Sequence, residues 1–211
     1  PQAFRQDLIQ AFLGDGVLHD SQQQTLDLLD ARHSVLTIMS TGRGKSLIFQ
    51  IHAAELALGK QTTSLFVYPL RALVADQAFH LERTLGSFGI TIGVLTGATS
   101  LPERAQIMTD LANGELDIIL TTPEYLDFHK DELAQISSIG FVVIDEAHHV
   151  GTSKAGFRPS YTRLGNAIHC LGDPQVLAVT ATADAVVARE ICDAFKLDEM
   201  VCDRAERANL H

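Results

Sequence analysis

The chain has 211 residues, 46% of them hydrophobic, which is enough for one sizeable core, and its formal net charge of -10 excludes attraction of nucleic acid through overall charge. Its three cysteines form no Cys-x-x-Cys pair, which excludes a zinc site of that kind and a disulfide framework and indicates reduced thiols. No apolar run approaches the roughly 18 residues of a membrane-spanning helix and the N-terminus has no signal-peptide pattern, so we expect an intracellular protein without a membrane segment.

Apolar periodicity predicts an alternation of strands and helices along the whole chain. Helices are predicted at about 3–13, 21–29, 47–58, 70–85, 101–112, 161–170 and 185–195, and strands at about 34–39, 63–68, 91–95, 116–120, 141–144 and 176–179. Strands joined by helices predict an α/β fold with a mostly parallel, twisted sheet and helices on both faces. Right-handed crossovers bring the carboxyl ends of the strands to one edge, where such sheets bind ligands.

The first strand is followed by a candidate phosphate loop that consists of Ser40, Thr41, Gly42, Arg43, Gly44, Lys45 and Ser46. Gly42 and Gly44 allow a tight turn whose N–H groups point inward, and the next helix adds its N-terminal N–H groups. Lys45 can then reach terminal phosphates of ATP, and the Ser46 hydroxyl can bind Mg²⁺. The alternative is a chance glycine-rich turn before a helix.

Two acids, Asp145 and Glu146, directly follow the most apolar strand of the chain. Burying an unpaired acid at such a position is costly, which favours a functional site. Behind a phosphate loop, Asp145 is placed to hold Mg²⁺ and Glu146 to activate the water that attacks the γ-phosphate. The alternative is a polar strand end that caps a helix.

The stretch 145–148, Asp-Glu-Ala-His, is a DEAH box, and with it the chain resembles superfamily 2 helicases, most closely the RecQ family. Motifs in the family's order span roughly residues 18–210. They are the phosphate loop with Gln50, the Tyr-Pro-Leu-Arg-Ala-Leu stretch at 68–73, Thr-Pro-Glu-Tyr-Leu at 122–126, Phe-Arg-Pro-Ser-Tyr at 157–161, Ala-Val-Thr-Ala-Thr-Ala at 178–183, and a degenerate motif at 204–210.

The resemblance implies roles around the nucleotide. Gln22 matches the glutamine that reads the adenine edge, with an ordinary surface glutamine as the alternative. Lys45, Glu146 and His148 are the implied catalytic residues. Thr180 and Thr182, with His148, are the implied link between the nucleotide site and the DNA side.

The resemblance also implies a set of nucleic-acid contacts, namely Pro69, Arg71, Thr122, Pro123, Lys154, Phe157 and Arg158. Arg71 is the expected direct phosphate contact, with a solvated surface arginine as the alternative. Ser153-Lys154 stands where the family has Trp-Gly, so Lys154 is expected to contact a phosphate in place of stacking. Phe157 is either a base contact or a loop anchor.

Residues 1–203 are therefore expected to be the first RecA-like P-loop motor domain of a RecQ-like DNA helicase that depends on ATP and Mg²⁺. We expect this helicase to act on single-stranded and duplex DNA in the cytoplasm, nucleoid or nucleus. Residues 204–211 are expected to begin the linker to a second RecA-like domain, which by resemblance supplies the charge-stabilising arginines. We expect residues 1–211 alone to bind nucleotide weakly and hydrolyse it near background. An RNA helicase, a duplex translocase and a non-hydrolysing, nucleotide-dependent scaffold remain alternatives.

Overall fold

The computed structural model describes residues 4–60, 62–136, 139–149 and 159–203, which form one seven-stranded parallel sheet with helices on both faces. The strands are β1 (Val35–Ile38), β2 (Thr63–Val67), β3 (Ile92–Leu95), β4 (Ile118–Thr121), β5 (Ile139–Ile144), β6 (Gln175–Thr180) and β7 (Glu199–Cys202). The helices are α1 (Arg5–Leu13), α2 (Asp20–Asp30), α3 (Lys45–Leu58), α4 (Arg71–Leu85), α5 (Leu101–Ala112), α6 (Pro123–Ile136), α7 (Pro159–Cys170) and α8 (Ala185–Phe195). The strand order is β3-β4-β2-β5-β6-β1-β7.

The sheet separates two hydrophobic cores. Helices α1 to α4 pack on one face, around side chains such as Phe49 and Phe66. Helices α5 to α8 pack on the other face, around side chains such as Leu65 and Ile191. Strands β1, β2 and β4 are buried along their whole length, as expected for parallel strands covered on both faces.

The predicted fold class is confirmed, and several element bounds agree closely with the periodicity. The helix predicted at 101–112 is observed at Leu101–Ala112, and Asp184 caps α8 by accepting bonds from the N–H groups of Val186 and Val187. Two elements, α6 and β7, lie where the periodicity predicts none. Within the described part of the chain, no helix combines the length and the apolar character needed to cross a membrane.

All strand-to-helix connections leave the sheet at the same edge, because the strands are parallel. Backbone hydrogen bonds tie these connections together there. The N–H of Met39 donates to the carbonyl of Thr180 at 3.1 Å, and the N–H of Asp145 donates to the carbonyl of Val67 at 3.0 Å. The N–H of Tyr68 donates to the carbonyl of Thr121 at 3.0 Å. The predicted convergence of polar segments on one edge is thus observed.

Candidate active site

The phosphate loop has the backbone that its glycines allow. Gly42 and Gly44 have φ angles of 82° and 74°, in the left-handed region that other residues rarely adopt. A Cβ on Gly44 would also lie 2.6 Å from Nε2 of Gln22, so a side chain there would collide with the amide. The loop is exposed from Thr41 to Gly44 and ends as α3 begins at Lys45. It therefore presents backbone N–H groups to solvent at a helix N-terminus, which suits an anion.

The half-buried Lys45 side chain folds back over the loop. Its ammonium donates to the carbonyl of Met39 at 3.0 Å and to that of Ser40 at 3.5 Å. The positive charge of Lys45 favours the ionised form of both Asp145 and Glu146, although burial still raises the pKa of Asp145. The structure thus brings the predicted phosphate-binding lysine and the predicted carboxylates into one site.

Gln22 is a buried residue, with 3% of its surface exposed, and so is not the surface glutamine of the alternative interpretation. Its Oε1 accepts a bond from the N–H of His19 at 2.8 Å, which closes a capping box at the start of α2. Its Nε2 donates to the carbonyls of Gly44 at 3.0 Å and Arg43 at 3.3 Å. Gln22 therefore fixes the phosphate loop against α2, and its reading of adenine stays a prediction.

Asp145 is a carboxylate that the fold holds in an unfavourable environment for its charge. Burial, followed by the nearby charge of Glu146, raises the pKa of Asp145 to about 6, although the Glu146 N–H and Lys45 act in the opposite direction. The N–H of Glu146 donates to Oδ1 of Asp145 at 2.9 Å and fixes the orientation of that carboxyl group. A buried anion in this position favours a bound cation.

Glu146 is strained and charged. Its φ angle of 51° lies in the left-handed region, an uncommon conformation for a residue with a side chain. The hydrogen bond with His148 lowers the pKa of Glu146, against the effect of burial, so this carboxyl group is held as an anion. An anionic carboxylate is what a general base requires.

His148 connects Glu146 with the end of β6. Its Nδ1 lies 3.0 Å from Oγ1 of Thr180 and 3.2 Å from Oε2 of Glu146. Because the Thr180 hydroxyl donates its proton to the carbonyl of Thr182 at 3.1 Å, it can only accept from His148. The proton of the His148 ring is therefore assigned to Nδ1, shared between the threonine and the glutamate. Hydrogen bonds thus join His148, Thr180 and Thr182, and their coupling role stays a prediction.

The side chains at this edge fit a hard divalent cation. Asp145 offers carboxylate oxygens that burial makes poorly solvated, and Ser46 offers an exposed hydroxyl in the first turn of α3. Oxygen ligands from one carboxylate and one hydroxyl, completed by water and phosphate, are the set that Mg²⁺ prefers. The donor set therefore agrees with the predicted Mg²⁺ ligands Ser46 and Asp145.

The predicted nucleic-acid contacts fall into two groups. Arg71 is exposed at the first position of α4, whereas Pro69, Thr122 and Pro123 are buried at the same edge. The Thr122 hydroxyl accepts from the N–H of Tyr125 at 3.4 Å. Arg71 is thus the member of this set whose side chain is open to a ligand. Three further predicted contacts, Lys154, Phe157 and Arg158, lie outside the described residues, as does the predicted linker at 204–211.

Two features of this edge have no signal in the sequence. Nε of Arg43 in the phosphate loop forms an ion pair with Oδ2 of Asp203, 2.8 Å away and 160 positions along the chain. The Tyr68 hydroxyl is buried without a hydrogen-bond partner among the described residues. Burial, followed by the charge of Asp145, raises the pKa of Tyr68. Both features depend on strand order, which local periodicity does not give.

Proteins similar in sequence are helicases. The chain is 32% identical over 189 residues to the ATP-dependent DNA helicase RecQ of Pasteurella multocida, covering 88% of this chain and 28% of that protein. It is 31% identical to RecQ of Bacillus subtilis, with coverages of 89% and 31%. It is 29% identical to the bifunctional 3'-5' exonuclease/ATP-dependent helicase WRN of Mus musculus, with coverages of 100% and 15%. The chain thus spans less than a third of the length of these relatives.

Solved structures similar in fold are also helicases. The DUF1998 helicase MrfA bound to DNA superposes with a TM-score of 0.77 at 21% identity, over 96% of this chain and 28% of that one. A hypothetical ATP-dependent RNA helicase from Sulfolobus tokodaii superposes with a TM-score of 0.67 at 23% identity, over 92% and 56%. These superpositions confirm the RecA-like fold. The family model for DEAD/DEAH box helicases matches residues 19–191, and the RecQ resemblance is confirmed by the curated relatives. The chain belongs to the DEAD/DEAH box helicase family.

Proposed function

We propose that this chain is the first motor domain of an ATP-dependent DNA helicase, which couples ATP hydrolysis to movement along single-stranded DNA and to duplex unwinding. The observation that carries the proposal is the meeting of Lys45, Asp145 and Glu146 at one sheet edge, with Glu146 bonded through His148 to Thr180. That arrangement contains a phosphate cradle, a cation-binding acid, a base and a connection to a neighbouring strand.

In the proposed reaction, the loop N–H groups and Lys45 bind the phosphates of ATP. Ser46 and Asp145 would hold Mg²⁺, which would neutralise charge on the phosphates when bound. Glu146 accepts a proton from the attacking water, because its hydrogen bond with His148 keeps it anionic. To bind the phosphates, the ammonium of Lys45 leaves the carbonyls of Met39 and Ser40, which is a small local rearrangement.

The proposed connection to DNA passes through His148. A change in the charge of Glu146 during hydrolysis changes the hydrogen bond that His148 shares between Glu146 and Thr180. Thr180 in turn bonds to the carbonyl of Thr182, which begins the connection to α8. Arg71, exposed on the same sheet edge, is the proposed phosphate contact, with Pro69, Thr122 and Pro123 shaping the backbone around it.

We further propose that a second RecA-like domain completes the ATP site, because the chain spans only 28% and 31% of the length of the two RecQ relatives. An arginine supplied to a phosphoryl-transfer site is worth roughly 10³ to 10⁵ in rate. Residues 1–211 alone should therefore bind Mg·ATP but turn it over near background. A DNA substrate would place the protein with the chromosome, in the nucleoid or nucleus.

Two other functions differ in the nucleic acid or in the chemistry. An RNA helicase would read the 2′-hydroxyl, and relatives named as DNA helicases favour DNA over this alternative. A non-hydrolysing, nucleotide-dependent scaffold would need Lys45, Ser46 and Asp145 to bind Mg·ATP but would not need the base Glu146, which is present. DNA-dependent hydrolysis is therefore the function that the site supports best.

The proposal is tested by ATP turnover of residues 1–211 joined to a second RecA-like domain, with single-stranded DNA, duplex DNA and RNA of matched length. We expect stimulation by single-stranded DNA, weaker stimulation by RNA, and no turnover without Mg²⁺. The Lys45→Ala variant is the control and should be inactive with every nucleic acid. Stimulation by RNA alone would replace DNA with RNA as substrate, and full activity of Lys45→Ala would exclude this edge as the ATP site.

A further inference from the structure

The phosphate loop carries a cation that is already neutralised from within the protein. Nε of Arg43 lies 2.8 Å from Oδ2 of Asp203, within charge-assisted hydrogen-bond distance. Arg43 stands between the two glycines of the loop, so its side chain starts where the proposed phosphates bind. A guanidinium in that position would be a strong phosphate ligand if it were not paired.

The two partners differ in how firmly they are held. The Asp203 side chain is 10% exposed and that of Arg43 is 45% exposed. The N–H of Asp203 donates to the carbonyl of Ile38 at 3.0 Å, which extends the pairing of β7 with β1 by one residue. Asp203 is therefore fixed to the sheet, whereas the side chain of Arg43 is long, has several rotatable bonds and is partly open to solvent.

The pair is poorly explained as a device for fold stability alone. A half-exposed ion pair typically contributes less than about 1 kcal/mol. The backbone of the loop is already fixed by Gln22, which bonds to the carbonyls of Arg43 and Gly44. The carboxylate of Asp203 does change the electrostatic field at the loop, because it neutralises the charge of Arg43 beside the proposed phosphate site.

We propose that Asp203 sets the nucleotide affinity of this site by competing with the phosphates for Arg43. Without nucleotide, Arg43 pairs with Asp203. When nucleotide binds, Arg43 turns from the carboxylate to the phosphates, and its return to Asp203 assists nucleotide release. This inference rests on the proposed function, since it assigns the loop to a nucleoside di- or triphosphate, and it adds an internal anion that weakens binding.

The test is a double-mutant cycle on the affinity of the 211-residue chain for a fluorescent ADP analogue with Mg²⁺. Asp203→Asn keeps the shape of the side chain but releases Arg43, so we expect binding to become about three- to tenfold tighter. In the Arg43→Ala background, the same Asp203→Asn change should leave affinity unaltered. Glu199→Gln, which removes an equal charge from an exposed position of β7, is the matched control and should have no effect.

Other outcomes overturn the inference in distinguishable ways. If Asp203→Asn leaves affinity unchanged or weakens it, the pair acts as a fixed brace for the loop. If it tightens binding equally with and without Arg43, Asp203 acts by direct repulsion of the phosphates. Thermal unfolding of each variant shows whether the fold is retained. If the unaltered chain does not bind the analogue, or binds it as well after Lys45→Ala, the proposed function itself fails.

Discussion

Two charge clusters in this domain have similar composition but different surroundings. The buried cluster lies among α1, α2 and α3 and consists of Arg5, Asp30, His52 and Glu55. The edge cluster lies at the carboxyl ends of the strands and consists of Lys45, Asp145, Glu146 and His148. Each cluster has one basic residue, two acids and one histidine, so composition alone does not separate structural from functional sites.

In the buried cluster, the cation donates hydrogen bonds to both acids. Arg5 bonds to Glu55 through Nε at 3.0 Å and to Asp30 through Nη1 at 2.8 Å, with a second bond to each carboxylate. Burial alone would lower the pKa of Arg5, but the two carboxylates outweigh this effect and raise it. Ligand atoms of Asp30, His52 and Glu55 lie within 4.8 Å of one another, yet the guanidinium already takes both carboxylates and leaves no place for a metal.

In the edge cluster, the cation donates hydrogen bonds to main-chain carbonyls. Lys45 donates to Met39 and Ser40, and the pKa of Asp145 is raised to about 6. Burial and the adjacent Glu146 thus disfavour the charged form of Asp145. The comparison indicates two roles for such clusters. An acid pair whose carboxylates are bonded to an internal arginine supports the fold, whereas an acid pair beside a lysine that bonds to main-chain carbonyls suits ligand binding.

The largest effect is expected at the proposed base. Glu146→Gln should lower turnover by roughly 10² to 10⁴-fold, because the attacking water loses its proton acceptor. Binding of Mg·ATP should persist, since Asp145 and Lys45 are retained. Turnover is measured in the protein with a second motor domain, and binding in residues 1–211. Unchanged turnover in a folded variant would remove Glu146 from the proposed mechanism.

A large loss of stability is expected when the cation of the buried cluster is removed. Arg5→Ala removes the cation from the buried carboxylate of Glu55 and the partly buried one of Asp30, and should lower the free energy of unfolding by about 3–5 kcal/mol. The matched control is Arg163→Ala, because Arg163 pairs with Asp127 at 2.8 Å with its side chain 63% exposed. That change should cost less than about 1 kcal/mol. Equal losses in the two variants, measured by denaturant unfolding, would contradict the structural role of Arg5.

His52 gives the buried cluster a pH dependence. Burial lowers the pKa of His52 to about 4, although Asp30 and Gln175 oppose the shift and Arg5 and Arg32 add to it. The unfolded chain takes up the proton at the ordinary pKa near 6.5, so this group costs no stability above that pH. As pH falls from 6.5 towards 4, stability should decrease by up to about 3 kcal/mol.

The measurement is the free energy of unfolding at pH values between 4 and 7. His52→Leu should flatten this profile, because leucine at position 52 cannot be protonated. His80→Gln, at a position with 60% of the side chain exposed, should leave the profile unaltered. A profile of the same slope in His52→Leu would assign the pH dependence to other groups.

The smallest effect is expected at Tyr68, which borders the edge cluster. Its hydroxyl lacks a hydrogen-bond partner among the described residues, and burial of such a group costs about 1 kcal/mol or more. Tyr68→Phe should therefore raise the melting temperature slightly or leave it unchanged. A clear decrease would show that the hydroxyl is bonded in solution, and a matched change in Mg·ATP affinity would place that bond at Asp145.

The sequence allows most of the fold to be predicted, because strand and helix periods are local. It does not predict β7, an edge strand in which Glu199 and Met200 are exposed and Val201 alone is fully buried. Helix α6 begins after a single residue that follows β4, and Pro123 at its start resembles a strand terminator as much as a helix initiator.

The site could be predicted where it depends on short motifs and not where it depends on distant contacts. The phosphate loop and the acid pair are each made of consecutive residues, so each can be identified from the sequence. The bonds of Arg5 to Glu55, of Gln22 to Gly44 and of Arg43 to Asp203 join positions 50, 22 and 160 apart. Such contacts follow from the order of strands and the packing of helices, which a single sequence gives only through resemblance.

The most direct test of the comparison removes the cation of each cluster and measures thermal unfolding with and without a non-hydrolysable Mg·ATP analogue. Ligand at 100 times its dissociation constant should stabilise the unaltered chain by about 2.7 kcal/mol. Lys45→Ala should keep the unfolding temperature of the free protein and lose the shift caused by the ligand. Arg5→Ala should show the reverse, a lower unfolding temperature with the ligand shift retained. If Lys45→Ala retains the ligand shift, or if Arg5→Ala loses it while still folded, the division between the two clusters is contradicted.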